Sequence, residues 1–126
     1  MHEDFLGLFG GETDVVTLAP GQELFKKGDA GRHMYVVKSG EVQVIDGNHV
    51  FETVPAGGIL GEMALISGQN RSTGARATVA SVVVPIDEKR FLFLVQQTPF
   101  FAIRVMRVMS NRLRMMNERI ASLSEK

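Results

Sequence analysis

LGEMAL at residues 60–65 and NRST at residues 70–73 are the two stretches around which this chain is organised. The first predicts a glycine turn that enters a helix, and the N–H groups at a helix N-terminus attract anions. Gly61 lets the backbone come close to a ligand, and Arg71 can hold a phosphate through two parallel hydrogen bonds. Because Glu62 would repel a phosphate, we expect it to bind a sugar hydroxyl. The pattern predicts a sugar-phosphate site, and the alternative is a surface ion pair of little energetic value.

An earlier block of residues supports a specific comparison. It consists of Pro20-Gly21-Gln22-Glu23-Leu24-Phe25, Gly28-Asp29, Met34-Tyr35-Val36-Val37 and Gly40-Glu41-Val42. In order and spacing the two blocks resemble the cyclic nucleotide-binding domain family, over about Leu18 to Leu123. The resemblance implies a mainly β fold with C-terminal helices, namely a double-stranded β-helix or jelly roll. It also implies that the ligand is cAMP or cGMP, with no cofactor.

The resemblance assigns roles within a phosphate-binding cassette at residues 57–77. Glu62 would bind the ribose 2′-hydroxyl, and Arg71 would bind the exocyclic oxygens of the cyclic phosphate. The Ser72 hydroxyl and the backbone around Gly61 would complete the cradle. Thr73 stands where the family usually has alanine, and its role stays open. The predicted ligand-binding residues are Leu60, Gly61, Glu62, Met63, Ala64, Arg71, Ser72 and Thr73.

The choice of nucleotide depends on few positions. In the family, a hydroxyl directly after the arginine can meet the guanine amino group, so Ser72 leaves cGMP open, although related cAMP binders also carry serine there. Met116 and Asn117 fall where a Thr-Ser pair of some family members touches adenine. They are the predicted base contacts, although they lack the hydroxyl groups of that pair. The resemblance favours cAMP over cGMP.

Length and composition limit the class of protein. A chain of 126 residues is long enough for one core and short for two, so we expect a single domain. The formal net charge of zero gives no bulk attraction to nucleic acid, and no apolar run is long enough to cross a bilayer. Without cysteine there are no disulfides or thiolate nucleophiles. We therefore expect a cytoplasmic chain that inserts in no membrane and binds no nucleic acid directly.

The pattern changes along the chain from strands to helices. Residues 1–12 form a short N-terminal segment with one or two helical turns, and residues 13–86 form the β-roll. Asp46-Gly47-Asn48 predicts a hairpin turn, and the apolar run from Val79 to Ile86 predicts a strand buried on both faces. Residues 87–126 form C-terminal helices. Asp87 is the expected N-cap of the first, which should end before Thr98-Pro99.

The last helix carries apolar residues at alternating spacings of four and three, which is typical of a coiled-coil seam. The seam consists of Ala102, Met106, Met109, Leu113, Met116, Ile120 and Leu123. We predict a homodimer through this helix, centred on Met106, Met109, Leu113, Met116 and Ile120. The alternative is that this face packs back on the β-roll. Five arginines on the same helix, Arg104, Arg107, Arg112, Arg114 and Arg119, predict a solvated face.

The chemistry-bearing residues indicate a binding module and not an enzyme. No local motif supports nucleophilic catalysis, so no catalytic residue is predicted. The histidines His2, His33 and His49 are scattered, which argues against the alternative of a cupin-like metal-dependent enzyme. We predict a sensor that couples nucleotide binding to movement of the C-terminal helices and passes the change to a regulated protein partner. The remaining alternative is a dimerisation or structural module with a degenerate cavity.

Overall fold

The computed structural model describes residues 4–9 and 14–124. The strands in this part of the chain are β1 (Val16–Leu18), β2 (Glu23–Phe25), β3 (His33–Ser39), β4 (Glu41–Asp46), β5 (His49–Pro55), β6 (Ile59–Leu60), β7 (Gly74–Ala77) and β8 (Ser81–Asp87). The helices are a 3-10 helix at Leu6–Leu8 and the α-helices α1 (Glu62–Ser67), α2 (Glu88–Gln97) and α3 (Phe100–Ser124).

The strands form two antiparallel sheets with the orders β1-β8-β3-β6 and β2-β7-β4-β5. Apolar side chains from both sheets meet in an inter-sheet core, which includes Leu18, Val37 and Val83 from the first sheet and Val42 and Val54 from the second. Consecutive side chains of a strand point to opposite faces, so each sheet can bury one face here. The predicted jelly roll with C-terminal helices is confirmed.

Strand β8 is buried on both faces, as the sequence predicts. Val83 lies in the inter-sheet core, whereas Val84 and Ile86 lie in a second, helix-side core. The strand begins at Ser81 and not at Val79, which is exposed. The buried Ser81 hydroxyl accepts a hydrogen bond from the Glu41 N–H at 3.0 Å and donates one to the Val79 carbonyl, which fixes the bend before the strand.

Short-range turn and cap signals are also confirmed. Gly47 joins β4 to β5 with a φ of +60°, and every described residue with positive φ is a glycine, so Asn48 does not share that conformation. The Asp87 side chain accepts a hydrogen bond from the Arg90 N–H at 2.8 Å, which caps α2 as predicted. The break between α2 and α3 falls at Thr98 and Pro99.

The N-terminal segment is part of the fold. Within residues 4–9 the predicted helical turns take the form of the 3-10 helix, and residues 1–3 and 10–13 lie outside the described residues. Phe5 and Phe9 are buried in the helix-side core, where the Phe5 ring meets the Phe101 ring edge-on at 6.0 Å. The segment therefore fastens the start of α3 to the roll.

Helix α3 packs into the helix-side core only along its first part. Phe101 and Val105 are buried in the helix-side core, and Met109 is half-buried against it, so the alternative of packing back on the roll holds for this first part. Met106 and Leu113 are exposed by 55% and 59%, and most of the seam beyond them is exposed too. The homodimer stays a prediction.

Candidate functional site

A cavity of about 310 Å³ opens between the second sheet, α1 and α3. All eight predicted ligand-binding residues line it, from Leu60 to Ala64 and from Arg71 to Thr73. Met116 lines it as well, whereas Asn117 is exposed and is not among the lining residues. The further lining residues are Phe25, Val44, His49, Val50, Phe51, Glu52, Arg112, Met115 and Arg119.

Arg71 is the buried cation of the cavity, with only 5% of its surface exposed. Its Nη1 donates to the Gly61 carbonyl at 2.8 Å, and its Nη2 donates to the His33 carbonyl. The guanidinium lies 4.0 Å from the centre of the Phe25 ring. Its Nε is buried and has no hydrogen-bond partner among the described residues. The surface ion pair considered as the alternative is wrong, since Glu62 is buried as well.

The charge of Arg71 is poorly compensated by its surroundings. Burial lowers the pKa of the Arg71 guanidinium, and Tyr35, Glu62 and Asp29 only partly oppose this effect. A buried N–H without an acceptor costs roughly 1–3 kcal/mol. An anion placed in the cavity beside the guanidinium would supply the missing counter-charge.

Gly61 is required by both its conformation and its surroundings. It precedes α1 with a φ of +82°, a region that side chains rarely adopt. A Cβ atom there would lie 2.7 Å from Arg71 Nη1 and 3.2 Å from the His33 carbonyl oxygen. The sequence predicted that the missing side chain of Gly61 would let a ligand come close to the backbone. In the structure the Arg71 guanidinium occupies that space and donates to the Gly61 carbonyl.

Glu62 is held by an arginine from α3. Arg112 Nη1 donates to Glu62 Oε1, while its Nε and Nη2 donate to the two carboxylate oxygens of Glu52 at 2.7 and 3.1 Å. Among the described residues, no group donates to Glu62 Oε2. Burial acts to lower the pKa of Arg112, but the hydrogen bond and charge of Glu52 and the charge of Glu62 outweigh it and raise that pKa.

The predicted solvated arginine face of α3 is wrong for Arg112, which is paired with Glu52 and Glu62 inside the structure. Arg104 is half-buried over the Phe5 ring, whereas Arg119 lies over the Phe51 ring and is still exposed. Helical periodicity places these arginines on α3 but does not say which strand each one faces. No local sequence signal identifies Arg112, because the burial of Glu62, which creates the need for a cation, arises only in the folded chain.

Comparisons with known proteins agree with this geometry. The profile of the family described as "Cyclic nucleotide-binding domain" matches residues 15–98. The chain belongs to the cyclic nucleotide-binding domain family. The match includes the whole cassette and ends before α3, so Arg112 and Arg119 lie beyond it. The resemblance predicted from the two sequence blocks is confirmed.

Three relatives show how much of each protein is shared. A cyclic nucleotide-gated channel of Caenorhabditis elegans is 42% identical over 62 residues, which are 48% of this chain and 8% of the channel. The Thermus thermophilus catabolite activator protein superposes with a TM-score of 0.78 at 25% identity, over 87% of this chain and 54% of that one. PKAR CBD2 with bound Sp-2Cl-cAMPS gives a TM-score of 0.72 at 26% identity, over 82% and 69%. The chain thus spans less than a tenth of the channel and about half of the activator.

Two further observations concern the described residues. They contain no cluster of three or more His, Asp or Glu side chains placed to hold a metal ion. None of their helices combines the length and the apolar character that crossing a bilayer needs.

Proposed function

We propose that this chain is a regulatory domain and not an enzyme, and that it binds a cyclic nucleotide in the cavity between α1 and α3. The observation that carries the proposal is the buried, unpartnered Nε of Arg71. The Arg71 guanidinium lines the cavity, and the cyclic phosphate would accept from it. The family's name and the cAMP analogue bound to PKAR CBD2 support the same ligand class.

Glu62 is the group proposed to bind the sugar. One of its oxygens accepts from Arg112, which leaves Oε2 to accept a hydrogen bond from the ribose 2′-hydroxyl. The carboxylate is oriented by the arginine, so the hydroxyl would meet a fixed acceptor.

The same ion pair gives a route from the ligand to α3. Arg112 belongs to α3, so any change at Glu62 on ribose binding alters the contact that holds this helix over the cavity. The break at Thr98 and Pro99 is the proposed hinge. Coupling of this kind requires that the nucleotide bind one position of α3 more tightly than the other.

We propose cAMP as the preferred ligand over cGMP. Val50, Met115 and Met116 line the cavity beyond the ribose position and offer no strong acceptor to the 2-amino group of guanine. Burial of that group without an acceptor costs free energy. Ser72 also lines the cavity, and its hydroxyl is the group that would offset this cost for cGMP.

Calorimetric titration with cAMP and with cGMP tests the proposal. Saturation at a hundredfold excess over the dissociation constant should add roughly 2.7 kcal/mol to the free energy of unfolding. Arg71→Ala should weaken binding by about 1.5–3 kcal/mol, and Arg71→Lys should also weaken it because lysine lacks the planar fork. Arg32→Ala, at an exposed position, is the matched control. Absence of binding heat and of a melting shift with both nucleotides would refute the proposal.

A homodimer through α3 is the second proposal, favoured by the exposure of Met106, Leu113 and Ile120. Leu113→Glu should lower the sedimenting mass, whereas Arg114→Glu, on the same turn but outside the seam, should leave it unchanged. Equal masses of the wild type and Leu113→Glu would discard the interface. Cytoplasmic location, a regulated protein partner and the single-domain boundaries stay predictions of the sequence.

A further inference from the structure

This inference rests on the proposed function and concerns the base of the bound nucleotide. With the phosphate at Arg71 and the ribose at Glu62, the base must occupy what remains of the cavity. That part is lined by β5 and the second half of α3. Its apolar side chains are Val50, Phe51, Met115 and Met116, and it also contains the cation of Arg119, which lies beyond the family match at residues 15–98.

Arg119 is held in a defined position at this end of the cavity. Its guanidinium carbon lies 5.7 Å from the centre of the Phe51 ring, and its Nη1 contacts the ring nitrogens of His49. Guanidinium groups have donors and no acceptor, so the imidazole must accept in this contact. His49 in turn packs edge-on against Phe51 at 4.5 Å. Among the described residues, His49 is the only hydrogen-bond partner of the Arg119 side chain, so further N–H groups remain for a ligand.

The position of Arg119 along α3 agrees with the direction in which a base would lie. Arg119 follows Arg112 by two helical turns, which places it on nearly the same helix face and about 10 Å further along the axis. Arg112 marks the ribose position through Glu62. The two arginines therefore face the cavity in sequence, one beside the proposed sugar and one beside the proposed base.

We propose that Arg119 binds the purine base by donating to N7, with His49 and Phe51 as its positioning residues. Adenine and guanine both present N7 as an acceptor, and arginine commonly donates to N7 of guanine when proteins read DNA. Pyrimidines have no such atom. The contact selects cyclic purine nucleotides as a class and does not by itself separate cAMP from cGMP.

The test removes the contact from each side in turn. Affinities of the wild type, Arg119→Leu and Arg119→Lys are measured by competition for cAMP and for 7-deaza-cAMP, in which a C–H replaces N7. The wild type should bind cAMP about tenfold more tightly than 7-deaza-cAMP, as expected for a hydrogen bond to a charged group. Arg119→Leu should bind both ligands equally, at about the wild-type affinity for 7-deaza-cAMP. Arg119→Lys should keep part of the preference because it keeps a donor.

Controls distinguish failure of the Arg119 contact from failure of the proposed nucleotide binding. Arg114→Leu removes an exposed arginine that donates to Asn111 of the same helix, and it should keep the tenfold preference. Equal binding of the two ligands by the wild type would overturn the inference. So would an Arg119→Leu variant that loses affinity for both by the same factor, since Arg119 would then only hold α3 closed. Failure of the wild type to bind cAMP and cGMP at all would instead refute the proposed function.

Discussion

Replacing Arg112 with methionine removes the cation that lies between Glu52 and Glu62. Glu62 is 2% exposed and would stay buried without a partner, whereas the Glu52 side chain is already 20% exposed and can turn to solvent. Removal of one member of a buried ion pair costs about 3–5 kcal/mol, and the freedom of Glu52 puts the expected loss near about 3 kcal/mol. At about 2.1 cal/mol/K per residue, a domain of this size has an unfolding entropy near 0.26 kcal/mol/K, so the melting temperature should fall by about 11 °C.

Urea unfolding followed by circular dichroism measures this loss directly. Glu52→Gln and the double variant complete a mutant cycle, and the two changes should couple by about 1–3 kcal/mol because the side chains share hydrogen bonds. Arg114→Met removes an exposed arginine of the neighbouring turn and should change the free energy of unfolding by less than about 0.5 kcal/mol. The reasoning is refuted if Arg112→Met costs under about 1 kcal/mol, or if its effect and that of Glu52→Gln simply add.

Three further substitutions test separate parts of the structure. Gly61→Ala should cost about 1–2 kcal/mol of stability and abolish nucleotide binding. Gly47 also has a positive φ but no atom near the position of a Cβ, so Gly47→Ala should cost stability alone. Equal nucleotide affinities of the two variants by calorimetry would contradict this. Asp87→Ala should lower the free energy of unfolding by about 1 kcal/mol in urea and leave the nucleotide affinity unchanged, and Asp87→Ser should restore most of that stability. An unchanged free energy of unfolding for Asp87→Ala would show that the cap is not made. Ser81→Ala should lower the free energy of unfolding by about 1–2 kcal/mol, because it leaves the Glu41 N–H without its acceptor. An unchanged free energy of unfolding would show that this hydrogen bond does not stabilise the fold.

The sequence alone was enough to predict the residues that line the part of the cavity proposed for the phosphate. Leu60 to Ala64 and Arg71 to Thr73 lie within fourteen consecutive positions, so a glycine turn, a short helix and a returning loop are enough to bring them together. The same holds for the Gly47 turn and the Asp87 cap, where the partners are at most three residues apart. Local backbone chemistry decides most of these features, although the Arg71 guanidinium is also held by the His33 carbonyl, 38 residues away.

Tertiary structure decided the other end of the site. Glu52 and Glu62 meet Arg112 across 60 and 50 residues, and His49 meets Arg119 across 70. The repeat of the last helix indicated an apolar seam and an arginine face, but Met109 turned out to pack on the helix-side core and Arg112 to be buried. A helical repeat fixes which residues share a face, whereas the partner of that face depends on how α3 is anchored by Phe5 and Phe101. That anchoring comes from packing between distant segments, which no local pattern encodes.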